Sequence, residues 1–129
     1  MESNTQDKKV NRQAGLDTID QVYGAGFSSM LEAASGAPFV AETIDHLFAD
    51  IWNRPGLSVR DRRLLVLGAT AMLGKPELVE AQARGALLNN ELTEAQLEEA
   101  VLQLAYYVGW GNATSTWQGV QAAKAVQKK

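Results

Sequence analysis

Every periodic stretch of this 129-residue chain repeats at helical spacing, and none alternates at the period of two that a half-buried strand requires. That confines the chain to the all-α class. Val10, Leu16, Ile19 and Val22 outline a first helix over about 10–22, closed by Gly24-Ala25-Gly26. A short helix near Phe27–Ala34 stops at Ser35-Gly36. Phe39, Val40, Thr43, Ile44, Leu47, Phe48 and Ile51 follow the i, i+3, i+4, i+7 rule, which predicts one helix with a single buried stripe. Leu64–Leu73 carries no charge, so a helix buried on all sides is expected there.

The remaining helices are marked by their ends. Pro76 suits the first position of a helix running to about Leu88. Thr93 with Gln96 reads as a capping box, and Leu92 with Leu97 as its hydrophobic staple. The helix behind them offers Leu97, Ala100, Val101, Leu104, Ala105 and Val108 to a core. Gly109-Trp110-Gly111 breaks it, and Asn112 is expected to cap a last helix through about Val126. The expected organisation is a polar tail over 1–9 and one helical domain over 10–129, a compact bundle of about six to seven helices.

Composition removes whole classes of chemistry. With no cysteine there is no thiol nucleophile, disulfide exchange or thiolate metal site. A single histidine, His46, excludes a multi-histidine metal centre within one chain, so no metal is expected. No glycine-rich phosphate loop occurs, and no cofactor is expected. A net charge of −3 argues against a nucleic-acid surface. No apolar run approaches the ~18 residues of a membrane span, and residues 1–9 hold no apolar signal core, so a cytoplasmic location is expected.

What remains are carboxylates, arginines, tyrosines, amides and one imidazole. They concentrate in Trp52-Asn53-Arg54-Pro55-Gly56-Leu57-Ser58-Val59-Arg60-Asp61-Arg62. Pro55 fixes its own φ, Gly56 can take positive φ, and Ser58 reads as an N-cap with Asp61 three residues on. Arginine forks at a helix mouth suit a carboxylate. The competing reading is that the arginines pair with Asp50, Asp61 or Glu77 and pin the turn, which is favoured for Arg60 and Arg63. His46 is the one side chain of a type that ordinarily titrates near neutrality, and helical spacing places it on a polar face with Glu42, Asp50 and Asn53, either as a proton donor or as part of a solvated surface. Trp52, Tyr106, Tyr107 and Trp110 either line a pocket for a flat ring or belong to the core.

The Trp-to-Arg element resembles that of the carboxymuconolactone decarboxylase family, which carries Trp-x-Arg-Pro-Gly-Leu-Ser-x-Arg-Asp-Arg at the start of its main buried helix. Asp45-His46-Leu47-Phe48-Ala49-Asp50-Ile51-Trp52 is similar to that family's approach helix, with Ala49 where glycine is usual. Arg84-Gly85-Ala86-Leu87, Glu91-Leu92-Thr93 and Ala105-Tyr106-Tyr107-Val108-Gly109-Trp110 fall at family spacing. The resemblance covers roughly residues 15–125 and implies an alkylhydroperoxidase-like helical bundle that assembles as trimers or hexamers. It also implies cofactor-free decarboxylation of a small unsaturated lactone carboxylate of the 4-carboxymuconolactone type, in aromatic-compound breakdown.

On that reading His46 is the acid, oriented by Glu42 or Asp50. Arg54 and Arg62 grip substrate oxygen, and Trp52, Gln82 and Tyr107 join Glu42 in the binding set. Gln82 stands where many family members carry a histidine, and a glutamine cannot transfer a proton near neutrality. The thiol-peroxidase branch of the superfamily uses a Cys-x-x-Cys pair, which Lys75–Gln82 lacks. The alternative function is action on, or binding of, another small oxo-acid or lactone.

Overall fold

The computed structural model describes the backbone of residues 5–127 and the side chains of residues 11–126. Residues 1–4 of the polar tail, and the side chain of Val10, lie outside that description. Among the described residues the fold is all-α, with seven α-helices and no strand. Among the described residues no helix is long and apolar enough to cross a membrane. The chain divides into two compact units, Met1–Leu57 and Ser58–Lys129.

The first unit holds α1 (Thr5–Tyr23), α2 (Phe27–Ala33), α3 (Pro38–Glu42), a π-helical turn (Thr43–Phe48) and a 3-10 turn (Ile51–Asn53). Gly24 and Gly26 turn the chain after α1 with φ of 120° and 88°, conformations a side chain would oppose. Leu16, Ile19 and Val22 of α1 are buried, as are Ile44, Phe48 and Trp52. The rings of Phe48 and Trp52 stack with centroids 5.8 Å apart, and Tyr23 meets Phe48 edge-on at 5.7 Å.

The single helix expected over Phe39–Ile51 is instead three pieces. Ala49 N–H donates to the Ile44 carbonyl at 3.1 Å, five residues back, and this wider turn shifts the helical phase. Ile44 and Phe48 stay buried, whereas Phe39 is 82% exposed and Leu47 also faces solvent. Contacts remote in sequence hold the wide turn. The Arg12 guanidinium binds both oxygens of Asp45 at 2.6 and 2.7 Å, and any Cβ on Gly15 would lie 2.0 Å from the Ile44 carbonyl oxygen. Asn53 Nδ2 donates to the Phe48 and Ala49 carbonyls and to Thr18 Oγ1, capping the turn's open end.

The second unit holds α4 (Val59–Leu73), α5 (Pro76–Leu88), α6 (Glu94–Val108) and α7 (Trp110–Gln127). Its core gathers Leu67, Val79, Ala83, Ala86, Leu92, Leu97, Val101, Val120 and Ala123. Gly119 lets α7 approach α5 closely, since a Cβ there would meet the Pro76 carbonyl oxygen at 2.6 Å. The local end signals hold. Ser58 Oγ accepts from Asp61 N–H, Pro76 opens α5, and Thr93 and Gln96 form both halves of the capping box.

Three expectations are corrected in and around α4 and α7. The α4 helix is not buried on all sides: Leu65, Ala69, Met72 and Leu73 are exposed, and the fully buried stripe is Arg63, Leu67 and Ala71. Four-residue steps put one face of α4 inward, and that face begins with a charge. Asn112 is not the N-cap of α7, which begins two residues earlier at Trp110. Its Nδ2 donates to the Val108 and Met72 carbonyls, closing the C-terminal ends of α6 and α4. Gly56 is not in the left-handed region, where the glycines found among the described residues are Gly24, Gly26, Gly74 and Gly109. The turn at Pro55-Gly56 therefore does not draw on that freedom.

Candidate active site

The densest buried polar chemistry centres on Arg63. Its side chain is wholly buried, and that of Glu91 is 5% exposed. Arg63 Nε donates to Glu91 Oε1 at 2.8 Å and Nη2 to Glu91 Oε2 at 3.1 Å, a fork-to-fork pairing. Nη1 donates to Gln82 Oε1 at 2.9 Å, and Asn89 Nδ2 donates to Glu91 Oε2 at 2.7 Å. Gln82, on α5, is itself 5% exposed.

Local structure explains how Glu91 reaches a residue 28 positions away. Asn90 takes a left-handed conformation with φ of 55°, which asparagine tolerates better than most residues. Glu91 N–H then bonds back to the Ala86 carbonyl at 2.9 Å, the six-to-one bond of a Schellman ending. The carboxylate is thereby folded back beside α4. Arg60 Nε adds a bond to the Glu91 carbonyl at 3.1 Å, and its Nη1 lies 3.8 Å from Asp61.

Arg60 and Arg63 therefore do pair with acids, as the residue reading favours. The principal acid, though, is Glu91 rather than Asp50 or Glu77. The usable sequence signal is the α4 stripe itself: stepping back by four from Ala71 and Leu67 lands on Arg63.

The other candidates have these places. In the first unit, His46 sits on the π-helical turn with its side chain 58% exposed and Nδ1 3.7 Å from Glu42 Oε2, itself exposed. Trp52 is buried against Phe48, and Arg54 follows the 3-10 turn on exposed chain. In the second unit, Arg62 is half-buried on the first turn of α4. Gln82 is joined to Arg63, and Tyr107 is exposed near the end of α6. Arg62 and Gln82 thus both belong to the unit that holds the buried network.

Two carboxylates have clear titration perturbations. The Arg12 hydrogen bonds hold Asp45 below its ordinary value, and Asp45 in turn raises Arg12. Lys124, and after it Gln121, hold Glu98 below its ordinary value. Glu98 lies at the edge of a groove of about 300 Å3 between α6 and α7, whose walls include Val101, Leu102, Trp110 and Trp117. That groove is mainly apolar; it includes Trp110, one of the aromatics read as able to line a pocket, but none of the residues expected to bind or protonate substrate oxygen. The buried amide-guanidinium system is the better centre for polar chemistry. Among the described residues no group of three or more His, Cys, Asp or Glu could hold a metal ion.

Comparison with known proteins adds two similar sequences. A 61-residue stretch, 46% of this chain, is 43% identical to the nitrosuccinic acid decarboxylase of Metarhizium robertsii, covering 41% of that protein. A 62-residue stretch, 48% of this chain, is 31% identical to the 4-carboxymuconolactone decarboxylase of Acinetobacter baylyi, covering 46% of that protein. Each match spans less than half the length of the relative concerned. The family pattern itself runs over residues 37–124, from α3 into α7 and through the buried Arg63 network, and the chain belongs to the carboxymuconolactone decarboxylase family.

Proposed function

We propose that the protein is a carboxy-lyase acting without a cofactor on a small acid whose own conjugated oxygen accepts the electron pair left by CO2. Family membership, joined to the decarboxylase names of both matched relatives, carries this reading. The leading substrate is a 4-carboxymuconolactone-like lactone carboxylate. When its C–C bond to the carboxylate breaks, the pair moves through the C=C bond into the lactone carbonyl and gives a dienolate. A proton then adds to carbon. The substrate supplies the electron sink, so the protein need only stabilise an oxyanion and deliver one proton.

In the second unit, Arg62 and Gln82 are proposed as donors to substrate oxygen and Tyr107 as a ring contact. In the first, taken by itself, Arg54 is proposed as a carboxylate-holding group, His46 with Glu42 as the candidate acid, and Trp52 as a ring contact. A salt bridge on the departing carboxylate would favour the ground state, so the arginines are assigned to oxygens that stay. The expected self-association is also part of the proposal, supported by the exposed Tyr106, Tyr107, Trp110 and Trp117.

A second reading, a small nitro- or oxo-acid as substrate, is favoured by the nitrosuccinic acid decarboxylase match and by Gln82. A nitro group takes the same electron pair as a nitronate. Purified protein should consume 4-carboxymuconolactone or nitrosuccinate with release of CO2, followed by ultraviolet absorbance and headspace CO2. No rate above buffer with either acid would end the proposal.

A further inference from the structure

We propose that the groove between α6 and α7 is a separate binding site, for an uncharged planar ring that carries a hydroxyl or N–H donor. It uses none of the residues assigned to decarboxylation. Gly109, with φ of 92°, reverses the chain in a single residue between the two helices. Trp110, Ala113, Thr114 and Trp117 then line the groove from one face of α7, at i, i+3, i+4 and i+7. The seven-residue step sets the two indoles roughly 10.5 Å apart along the helix, and the small residues between them leave a gap. Tyr106 meets Trp110 edge-on at 5.7 Å and steadies that end wall. Ala105 and Ala113, both buried, form the floor. The space of about 300 Å3 is at the lower end for small-molecule sites and has the aromatic walls such sites share, which suits one ring or two fused ones.

Charge and polarity select the ligand. Glu98 is the charged residue of the lining. Lys124 and Gln121 both donate to its Oε2, and the Trp117 indole is a further donor to the carboxylate. Paired with Lys124, Glu98 presents no net charge, so an ionic ligand would leave water with no counter-charge to meet it. A carboxylate has about four acceptor sites, and those three donors leave one. Thr114 Oγ1 donates to the Trp110 carbonyl at 2.9 Å, so it too can meet a ligand only as an acceptor. Both oxygen-bearing side chains of the lining therefore accept. A phenolic O–H or a heterocyclic N–H supplies the matching donor while its ring packs against the indoles.

The chain has three tryptophans, so its indole N–H groups give three signals in a 15N-labelled sample, assigned by Trp110→Phe and Trp117→Phe. Titrating 4-methylphenol into the wild-type protein should move the Trp110 and Trp117 signals saturably and leave that of the buried Trp52 in place. The donor-free 4-methylanisole should bind roughly 10-fold more weakly, and 4-methylbenzoate and 4-methylbenzylammonium at least as much so. Thr114→Leu, at an exposed position, fills the groove from its rim and should weaken binding roughly 10-fold or more without lowering Tm. Absence of a saturable shift in the wild-type protein overturns the proposal. So does equal binding of the charged rings, or binding that survives Thr114→Leu. Indole signals that respond to protein dilution but not to 4-methylphenol would place a second copy of the chain on these residues, which also overturns it. Each outcome is read without turnover, so the decarboxylase reading stands or falls separately.

Discussion

Replacing Arg63 with methionine removes a wholly buried cation and strands the Glu91 carboxylate, 5% exposed, without its forked partner. Breaking a buried pair from one side typically costs about 3–5 kcal/mol, because the surviving charge is left uncompensated. For 129 residues the unfolding entropy near the midpoint is about 0.27 kcal/mol/K, so the expected fall in Tm is roughly 11–18 °C. Glu91→Leu should cost a similar amount, leaving the guanidinium stranded instead. The double variant Arg63→Met/Glu91→Leu leaves no buried charge and should be more stable than either single one. A residual cost of about 1–2 kcal/mol is expected because Gln82 Oε1 and Asn89 Nδ2 lose their partners. Urea denaturation of all four proteins gives the coupling energy, expected above about 2 kcal/mol. Additivity within about 0.5 kcal/mol would show that the two charges do not depend on each other.

Other consequences are simpler to check. Asp45 and Glu98 both have lowered pKa values in the folded chain, so their contribution to stability is complete above the ordinary values of 3.8 and 4.5 and is lost as pH falls through the lowered ones. Asp45→Asn should therefore flatten part of the acid limb of stability against pH, and an unchanged limb would remove Asp45 as a contributor. Gly15→Ala forces a Cβ to within 2.0 Å of the Ile44 carbonyl oxygen and should destabilise by about 2–3 kcal/mol in thermal unfolding. Asn112→Ala removes the amide that closes α4 and α6 and should cost roughly 1–2 kcal/mol. Under the proposed function, His46→Ala should lower kcat much more than it raises KM, while Arg54→Ala should affect both; wild-type kcat in His46→Ala would remove the imidazole from the chemistry.

Legibility in the sequence tracks the range of the interactions. Ser58, Pro76 and the Thr93–Gln96 box act within one turn, and each is found as read. The wide turn at Thr43–Phe48 was hidden because its causes, Gly15 and Arg12, sit about thirty residues upstream on α1. Periodicity alone therefore extended an ordinary helix through it and buried Phe39 wrongly. The α4 error has a different source. An uncharged run says that a helix can be buried on any side, not that it is, and the side chosen begins at the charged Arg63. Of the candidate site, the residue types were readable. The partner of Gln82 was not, because Glu91 reaches Arg63 only through the left-handed Asn90.

That partnership bears on what an imidazole could do at position 82. If Gln82 stood alone, Gln82→His would supply an acid-base group there. Beside Arg63 it should not. The introduced imidazole would be buried, with a guanidinium nitrogen where Nη1 now lies 2.9 Å from the glutamine oxygen. Burial and a neighbouring like charge both oppose the imidazolium. Glu91 offsets the second effect only in part, because its two oxygens bind the guanidinium through Nε and Nη2 rather than Nη1. The introduced ring should therefore be a neutral acceptor from Arg63 at pH 7, titrating below the ordinary value of about 6.5. His46 is the sole other imidazole, so a two-signal proton NMR titration separates them. A value at or above 6.5 for the introduced ring would mean that Glu91 dominates the local field, and Arg63 would then be no obstacle to histidine chemistry. A depressed value would mean that Gln82 and Arg63 work as a unit at a position where an imidazole could not hold its proton.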